Sequence, residues 1–179
     1  GNEAVLAIEA AHQAGAPVDF SVKPGKDGPG AALPTGSYRL AGQAQISALP
    51  GYAEGDWWVQ DAAAAMAVRL LDPRPGEVVV DLCAAPGGKT LQLAAAGAQV
   101  TAVDISGARL ARLRGNLGRT GLSADVIEAD ALAWTPVTAP DAILLDAPCS
   151  ATGTIRRHPD LPLVRNDSGI EGLAALQAA

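Results

Sequence analysis

Short apolar runs alternate with longer segments that end at glycines from residue 77 onward. The apolar runs predict strands, and the longer segments predict helices that stop where glycine follows. This alternation predicts, in order, strand Glu77–Leu82, helix Lys89–Ala96, strand Gln99–Asp104, helix Gly107–Arg119, strand Asp125–Glu128 and strand Ala142–Leu145.

The predicted strands are apolar at consecutive positions, as at residues 78–80 and 143–145, rather than at every second position. This pattern is typical of strands that are buried on both faces of a parallel sheet. Strand–helix–strand units of this size predict a doubly wound α/β sheet. Only four such strands are predicted, whereas a Rossmann-like sheet usually has about six. We therefore expect a sheet cut short after strand four, either because the chain is a fragment or because the last strands are missing for another reason.

The first 56 residues have a different character. A helix is predicted over Asn2–Ala14, with Asn2 as its N-cap, and several prolines then break the chain. Short extended pieces are predicted at Asp19–Val22 and Gln43–Ala48. We expect residues 1–56 to form a small accessory α+β region and residues 57–179 to form the main domain. Within the main domain, helix Gln60–Leu71 comes first and a weak helix at Ile170–Ala178 comes last.

Composition places the chain among soluble globular proteins: it is 49% hydrophobic and 18% charged. The net charge of −6 argues against a surface coated in basic patches, although it leaves room for a local basic groove. The two cysteines are too few for a disulfide framework, so free thiols in a reducing cytoplasm are expected. No apolar run is long enough to cross a membrane. We expect neither a membrane partner nor a metal site.

The sharpest motif runs from Val80 to Thr90. It leaves a buried strand, turns on Gly87 and Gly88, and enters a helix. Glycines at such a turn let a ligand approach the backbone, and the helix N-terminus offers N–H donors to a carboxylate or phosphate. The spacing matches neither a phosphate-binding P-loop nor a dinucleotide fingerprint. The alternative is a tight turn that holds no ligand.

Two acids follow the next two strands. Asp104 ends its strand about 20 residues after the glycine turn, where a carboxylate suits the two hydroxyls of a ribose. The alternative for Asp104 is a helix N-cap. Asp130 closes the following strand, where an acid can accept a hydrogen bond from an adenine amine; a solvated turn acid is the alternative. Together, the two acids fit an adenosyl cofactor.

A further motif begins at Asp146, at the carboxyl end of the fourth strand, where ligands bind in such sheets. A carboxylate, the turn-stiffening Pro148 and the thiol of Cys149 fall within four residues. This grouping predicts reactive chemistry, with Asp146 and Cys149 as candidate catalytic residues. The alternative is a buried cysteine that packs as a small hydrophobe.

These motifs resemble those of the NOL1/NOP2/Sun family of RNA 5-methylcytosine methyltransferases. The resemblance rests on Asp81–Thr90 and on Asp146–Ser150 with Gly153, and it extends to Gly51–Asp61. It covers roughly residues 49–161 and is strongest to the bacterial Sun-type enzymes that modify small-subunit ribosomal RNA. It implies a Rossmann-like methyltransferase fold, S-adenosylmethionine (SAM) as cofactor and RNA as partner.

The resemblance also assigns roles to individual residues. It implies that the cofactor's methionine part contacts the turn formed by Cys83, Ala84, Ala85, Pro86, Gly87, Gly88 and Lys89. It implies that Asp104 binds the ribose, that Asp130 lies on the adenine side, and that Asp146 lies beside cofactor and base. The reaction needs a thiolate that adds to C6 of cytosine, because C5 alone is a poor nucleophile.

One departure from the family concerns the thiol. By its loop position alone, Cys149 is the candidate nucleophile. In the family, the nucleophile lies in a Thr-Cys-Ser motif after strand five, and the cysteine at position 149 assists product release. No Thr-Cys-Ser occurs in these 179 residues. We therefore expect the chain to be truncated and inactive by itself. The rival functions are the same chemistry on transfer RNA and a non-catalytic module that binds an adenosyl group or RNA.

Overall fold

The computed structural model of the protein describes residues 1–13, 15–42, 44–164 and 169–179. The chain divides into two compact units. One unit comprises residues 18–146, and the other comprises residues 1–17 together with residues 147–179. Each unit is described by itself below.

A parallel four-stranded sheet forms the centre of the unit 18–146. Its strands run in the order β7-β6-β5-β8. The chain therefore builds outward from β5 in one direction and then crosses to the other side for β8, which is the strand-order switch of a doubly wound sheet. Three of the four strands have the predicted bounds, and β5 starts one residue later than predicted. The strands are β5 Val78–Leu82, β6 Gln99–Asp104, β7 Asp125–Glu128 and β8 Ala142–Leu145.

Three helices pack on one face of this sheet. They are α2 Ala62–Leu71, α3 Gly88–Ala95 and α4 Gly107–Thr120. The Asp61 side chain caps α2 by accepting from the Ala63 N–H, and Ser106 caps α4 in the same way. The apolar core between sheet and helices falls into two clusters. One is centred on Leu113 and Ala102, and the other on Leu93 and Val79.

The opposite face of the sheet is more open. On β8, Ile143 is 54% exposed and Leu145 is 56% exposed. The prediction that these strands are buried on both faces is therefore wrong for β8. The reason is that β8 is the last strand in the order, and the helices cover only the side that carries Leu144.

A small antiparallel sheet precedes the parallel one, with the order β2-β3-β1-β4. Its strands are β1 Val18–Val22, β2 Ala31–Ala32, β3 Tyr38–Leu40 and β4 Trp57–Val59. Only β1 was predicted. The predicted extended piece Gln43–Ala48 is wrong where it is described: Ile46–Ala48 form a 3-10 turn whose backbone bonds close locally, and Gln43 lies outside the described residues.

The predicted domain boundary between residues 56 and 57 falls inside this small sheet. Strand β1 pairs with β4 across it, with Ser21 opposite Trp58. The small sheet is also joined to α2 through Asp19. That buried carboxylate accepts from Arg39 Nε at 2.7 Å and from the backbone N–H of Ala62 at 3.1 Å.

The segment between β3 and β4 packs closely on α4. The Arg119 guanidinium donates to the carbonyl oxygens of Tyr52 at 2.8 Å and Trp57 at 3.1 Å, and it stacks 4.2 Å from the centre of the Tyr52 ring. Gly55 has a φ of +68°, and a Cβ there would lie 2.2 Å from the Arg119 carbonyl oxygen. This position therefore needs glycine for two reasons, its backbone conformation and its contact with α4.

The second unit is helical in its described parts. It contains α1 Asn2–Gln13, a 3-10 turn at Thr152–Arg156, α5 Leu161–Val164 and α6 Ile170–Ala178. Helix α6 has the predicted bounds. Helix α1 includes Asn2, the predicted N-cap, and its predicted last residue, Ala14, lies outside the described residues. The Gln177 side chain donates to the Pro148 carbonyl oxygen at 2.6 Å.

None of the helices in the described part of the chain combines the length and the apolar character that a membrane crossing requires.

Replacing Gly55 with alanine is expected to cost far more stability than the same change at Gly121. Both glycines have a φ near +65°, so both substitutions carry about 1–2 kcal/mol of backbone strain. Only at Gly55 does the added methyl group also meet backbone atoms, which raises the expected loss to about 3 kcal/mol or more. Urea unfolding of the two variants measures the difference. Equal losses would show that the contact with α4 is unimportant.

Candidate functional site

The carboxyl ends of the four parallel strands meet at one edge of the sheet. The strand order switches between β5 and β8, and ligands of open α/β sheets bind outside the strand ends at such a switch. The glycine turn follows β5, Asp104 ends β6, Asp130 follows β7 and Asp146 follows β8. The structure therefore brings the predicted residues of this unit to one edge.

Backbone hydrogen bonds, one to β6 and one within the turn, hold the glycine turn. The Ala84 N–H donates to the Val103 carbonyl oxygen at 3.0 Å, and the Gly87 N–H donates to the Ala84 carbonyl oxygen at 2.9 Å. Cys83 takes a left-handed conformation, with a φ of +59°. Because few non-glycine residues adopt that conformation, the backbone here is constrained by its surroundings.

The two glycines of the turn differ in what they need. Gly87 has a φ of +105°, and a Cβ there would lie 2.7 Å from Leu113 Cγ. At Gly88, a Cβ would meet only the Gln60 side chain, at an ordinary 3.4 Å. From the sequence, both glycines are explained by a ligand that approaches the backbone closely. In the structure, packing against α4 is sufficient reason for Gly87, and no protein contact forces glycine at Gly88.

Asp104 is buried and joins three parts of the edge. One carboxylate oxygen accepts from the Ala85 N–H at 3.0 Å, and the other accepts from the Ser106 N–H at 2.9 Å. The Arg109 guanidinium lies 3.5 Å from the same carboxylate and also donates to the Ala85 carbonyl oxygen. Asp104 thus fixes the glycine turn against the start of α4. It is not the N-cap of that helix, because Ser106 occupies the N-cap position.

Two acids, Glu128 at the end of β7 and Asp130 just after it, are exposed. Asp130 is exposed, and its carboxylate accepts from the Leu132 N–H at 3.0 Å. The Glu128 carboxylate lies against the start of α4, so close that a Cβ added to Gly107 would come within 2.4 Å of it. The Ala129 N–H donates to the Asp104 carbonyl oxygen at 3.1 Å, which ties this loop to β6.

Asp146 and Lys89 form an ion pair across the strand-order switch. Lys89 Nζ lies 2.6 Å from an Asp146 carboxylate oxygen. The Lys89 side chain is 15% exposed, whereas the Asp146 side chain is 61% exposed. The lysine therefore reaches from the first turn of α3 and holds the carboxylate while leaving much of it accessible.

Asp81 is a buried acid that the sequence analysis did not single out. One of its oxygens accepts from Thr90 Oγ1 at 2.6 Å, and the other has no hydrogen-bond partner in the described part of the chain. Burial raises the pKa of Asp81 to about 6, against the hydrogen bond from Thr90 and the charge of Lys89, which lower it. A single acid within the otherwise apolar strand β5 was the available signal.

The two thiols lie in different units. Cys83 is half-buried in the glycine turn, and its burial, together with the Asp104 charge, raises its thiol pKa. Cys149 is exposed and belongs to the unit that contains the chain ends. In the described residues, no group of three or more His, Cys, Asp or Glu side chains is placed to hold a metal ion.

The comparisons with known proteins agree with this arrangement. The sequence profile described as "16S rRNA methyltransferase RsmB/F" matches residues 68–179, more than half of the chain. The chain belongs to this family. The resemblance drawn from the glycine turn and the Asp146 motif is thereby confirmed.

Individual relatives extend the comparison. Over 145 residues, the chain is 52% identical to "Ribosomal RNA small subunit methyltransferase B" of Serratia proteamaculans (strain 568). That alignment covers 78% of this chain and 34% of the relative, so the chain spans about a third of the relative's length.

Two solved structures are also similar. The crystal structure of PH0851 is 29% identical with a TM-score of 0.81, and the match covers 90% of this chain and 41% of that one. NSun6 from Pyrococcus horikoshii, solved with SFG, is 31% identical with a TM-score of 0.67 over 75% of this chain and 36% of that one. These matches confirm the Rossmann-like methyltransferase fold.

Other residues near the site were missed or left open by sequence reasoning. Trp57 and Trp58 are both buried in the protein, so neither indole is placed to stack on a base. Trp58 donates to the Gly88 carbonyl oxygen and Gln60 donates to Gln92 Oε1, both on α3, and the sequence does not predict these contacts. Trp58 lies in β4 and Gln60 directly follows that strand, so their spacing of two residues was the only signal.

The free energy of unfolding should depend on pH through the titration of Asp81. Because the pKa of this acid is raised in the folded state, the native protein binds more protons than the unfolded chain between pH ~4 and ~6. Stability from this group is therefore greatest below pH ~4 and falls as pH rises to ~6, by about 3 kcal/mol.

Urea unfolding across this pH range, in wild type and in Asp81→Asn, measures the effect. The wild type should lose stability relative to the variant as pH rises, because the asparagine does not titrate. Asp125→Asn, which removes an exposed acid from β7, is the control. A constant difference between wild type and Asp81→Asn would contradict the assignment.

Proposed function

We propose that this chain carries the SAM-binding part of an RNA cytosine-C5 methyltransferase that acts on small-subunit ribosomal RNA. The observation that carries the proposal is the buried Asp104 carboxylate, which is hydrogen-bonded to the glycine turn at the strand-order switch. Membership of the 16S rRNA methyltransferase family supports the same function. A ribosomal RNA substrate would place the protein in the cytoplasm.

The residues at the edge fit the chemistry of an adenosyl cofactor. Each Asp104 oxygen accepts one backbone N–H, and a carboxylate offers about four acceptor sites, so capacity remains for two ribose hydroxyls. The turn from Cys83 to Lys89 leads into the start of α3, where free N–H groups suit a carboxylate. The exposed Asp130 is available to an adenine amine. The structure of NSun6 with SFG, a SAM analogue, supports this fit.

SAM, when bound, supplies an electrophilic methyl group. In the proposed reaction, a cysteine thiolate would add to C6 of cytosine, which makes C5 nucleophilic, and the methyl group would pass to C5 with S-adenosylhomocysteine as the leaving group. A base then removes the C5 proton and the C6–S bond breaks, which regenerates the thiolate. Asp146, held by Lys89, would hydrogen-bond the cytosine edge and stabilise the adduct. The target base has to be unstacked or single-stranded for this geometry.

The role of Cys149 depends on which thiol attacks. In the family reading, the nucleophile is the cysteine of a Thr-Cys-Ser motif, and Cys149 assists release of the product. The exposure of Cys149 fits either role, because both need access to RNA. Cys83 fits less well as a nucleophile, because its raised thiol pKa disfavours the thiolate.

Asp104→Ala is expected to weaken SAM binding by about 1–3 kcal/mol, because ribose hydroxyls buried against the variant lose their acceptor. Isothermal titration calorimetry with SAM measures this loss. Asp125→Ala removes an exposed acid at the opposite end of the neighbouring strand and should bind as wild type does. Unchanged affinity in Asp104→Ala would reject the ribose assignment.

The thiol assignment can be tested in a full-length protein that carries the Thr-Cys-Ser motif. Cys149→Ala is expected to form a covalent adduct with ribosomal RNA and to release it slowly, whereas replacing the Thr-Cys-Ser cysteine should abolish the adduct. Mass spectrometry of enzyme trapped on cytosine-containing RNA detects the adduct. Loss of the adduct in Cys149→Ala would make Cys149 the nucleophile, and preferential methylation of transfer RNA would favour that substrate.

A further inference from the structure

We propose that Trp58 and Gln60 are positioning residues for the cofactor: they hold the first turn of α3, and with it the glycine turn, in the geometry that binds SAM. This inference rests on the proposed function. It assigns part of the cofactor site to a strand that lies outside the parallel sheet.

A short chain of hydrogen bonds carries the inference. The Trp58 indole N–H is shared between Gln60 Oε1 at 2.9 Å and the Gly88 carbonyl oxygen at 3.2 Å. The Gln60 amide donates to Gln92 Oε1 at 3.0 Å. Gln92 in turn donates to the Ala65 carbonyl oxygen of α2, also at 3.0 Å. The chain therefore links β4, α3 and α2.

The spacing of the contacts on α3 gives this chain its positional effect. Gly88 and Gln92 are four residues apart, so they lie one above the other on the same side of the helix. Contacts at both positions fix the rotation of α3 about its axis as well as its height along the sheet. The N–H groups at the start of the helix, which are proposed to face the cofactor's carboxylate, are oriented by the same contacts.

Burial makes these hydrogen bonds costly to lose. Trp58 is 2% exposed and Gln60 is 6% exposed, so a polar atom that loses its partner here has no easy access to water. The Gln60 side chain also packs against Gly88, where an added Cβ would touch its Cγ and Cδ. Trp58 belongs in addition to the apolar cluster around Leu113, which itself packs against Gly87.

Trp57 offers a matched comparison on the same strand. Its indole is 1% exposed, and its N–H donates to the Pro50 carbonyl oxygen at 2.9 Å. Its ring packs against Phe20, with ring centres 4.8 Å apart. Changing either tryptophan to phenylalanine removes one buried indole N–H and similar apolar area. Only the change at Trp58 removes a bond to the glycine turn.

The experiment compares Trp58→Phe, Trp57→Phe and Gln60→Leu in the 179-residue protein. Calorimetry gives the Kd for SAM, thermal melting gives stability, and hydrogen exchange gives the protection of the Leu91 amide, which bonds to the Gly87 carbonyl oxygen. We expect both tryptophan variants to have a lower melting temperature than wild type. We expect SAM affinity to fall about tenfold in Trp58→Phe and Gln60→Leu, and to stay within about twofold of wild type in Trp57→Phe.

Each outcome separates the two proposals. Equal SAM affinity in the two tryptophan variants overturns the positioning role, even if both are destabilised. If wild type itself does not bind SAM, the proposed function fails. The positioning of α3 is then judged by hydrogen exchange alone: faster exchange at Leu91 in Trp58→Phe than in Trp57→Phe supports it, and equal exchange overturns it.

Discussion

The hydrogen bonds of the Asp104 carboxylate are the interaction on which the site depends. They connect the end of β6 to the turn after β5 and to the start of α4. A buried carboxylate that accepts from backbone N–H groups is costly to leave unpaired, so the three segments are stabilised as a set. The left-handed Cys83, the close packing of Gly87 on Leu113 and the ion pair of Lys89 with Asp146 are all built around the turn that this carboxylate holds.

Three basic residues of α4 make contacts within the protein. Arg109, Arg114 and Arg119 all donate to backbone carbonyl oxygens within their own unit. These guanidinium groups join the glycine turn, β7 and the Tyr52 segment to the helix. A cluster of arginines on one helix is therefore compatible with an internal structural role, and it does not by itself define a surface for RNA.

The sequence was most informative where the structure is locally determined. Strands β6, β7 and β8 are short apolar runs between glycines, prolines and acids, so their bounds followed from the pattern. Strands β2, β3 and β4 are two or three residues long, too short to show a period. They exist because β3 and β4 pair with β1, and β2 pairs with β3. The placement of Asp104 and Asp146 at one edge was predictable because the carboxyl ends of parallel strands converge there. Asp81 and Trp58 were not predictable, because their importance comes from burial and from partners distant in sequence.

The contact between Arg119 and the Tyr52 segment also bears on how the protein is made. Its hydrogen bonds join residues that are 62 and 67 positions apart in the chain. During synthesis, residues 52–57 leave the ribosome well before Arg119 does, and contacts of such long separation form only after the intervening chain is available. Until α4 emerges, the Tyr52 ring lacks its cation and Gly55 lacks the backbone on which it packs. The small sheet can therefore pair early, but it reaches its final position only after the first two strands of the parallel sheet and α4 have been translated.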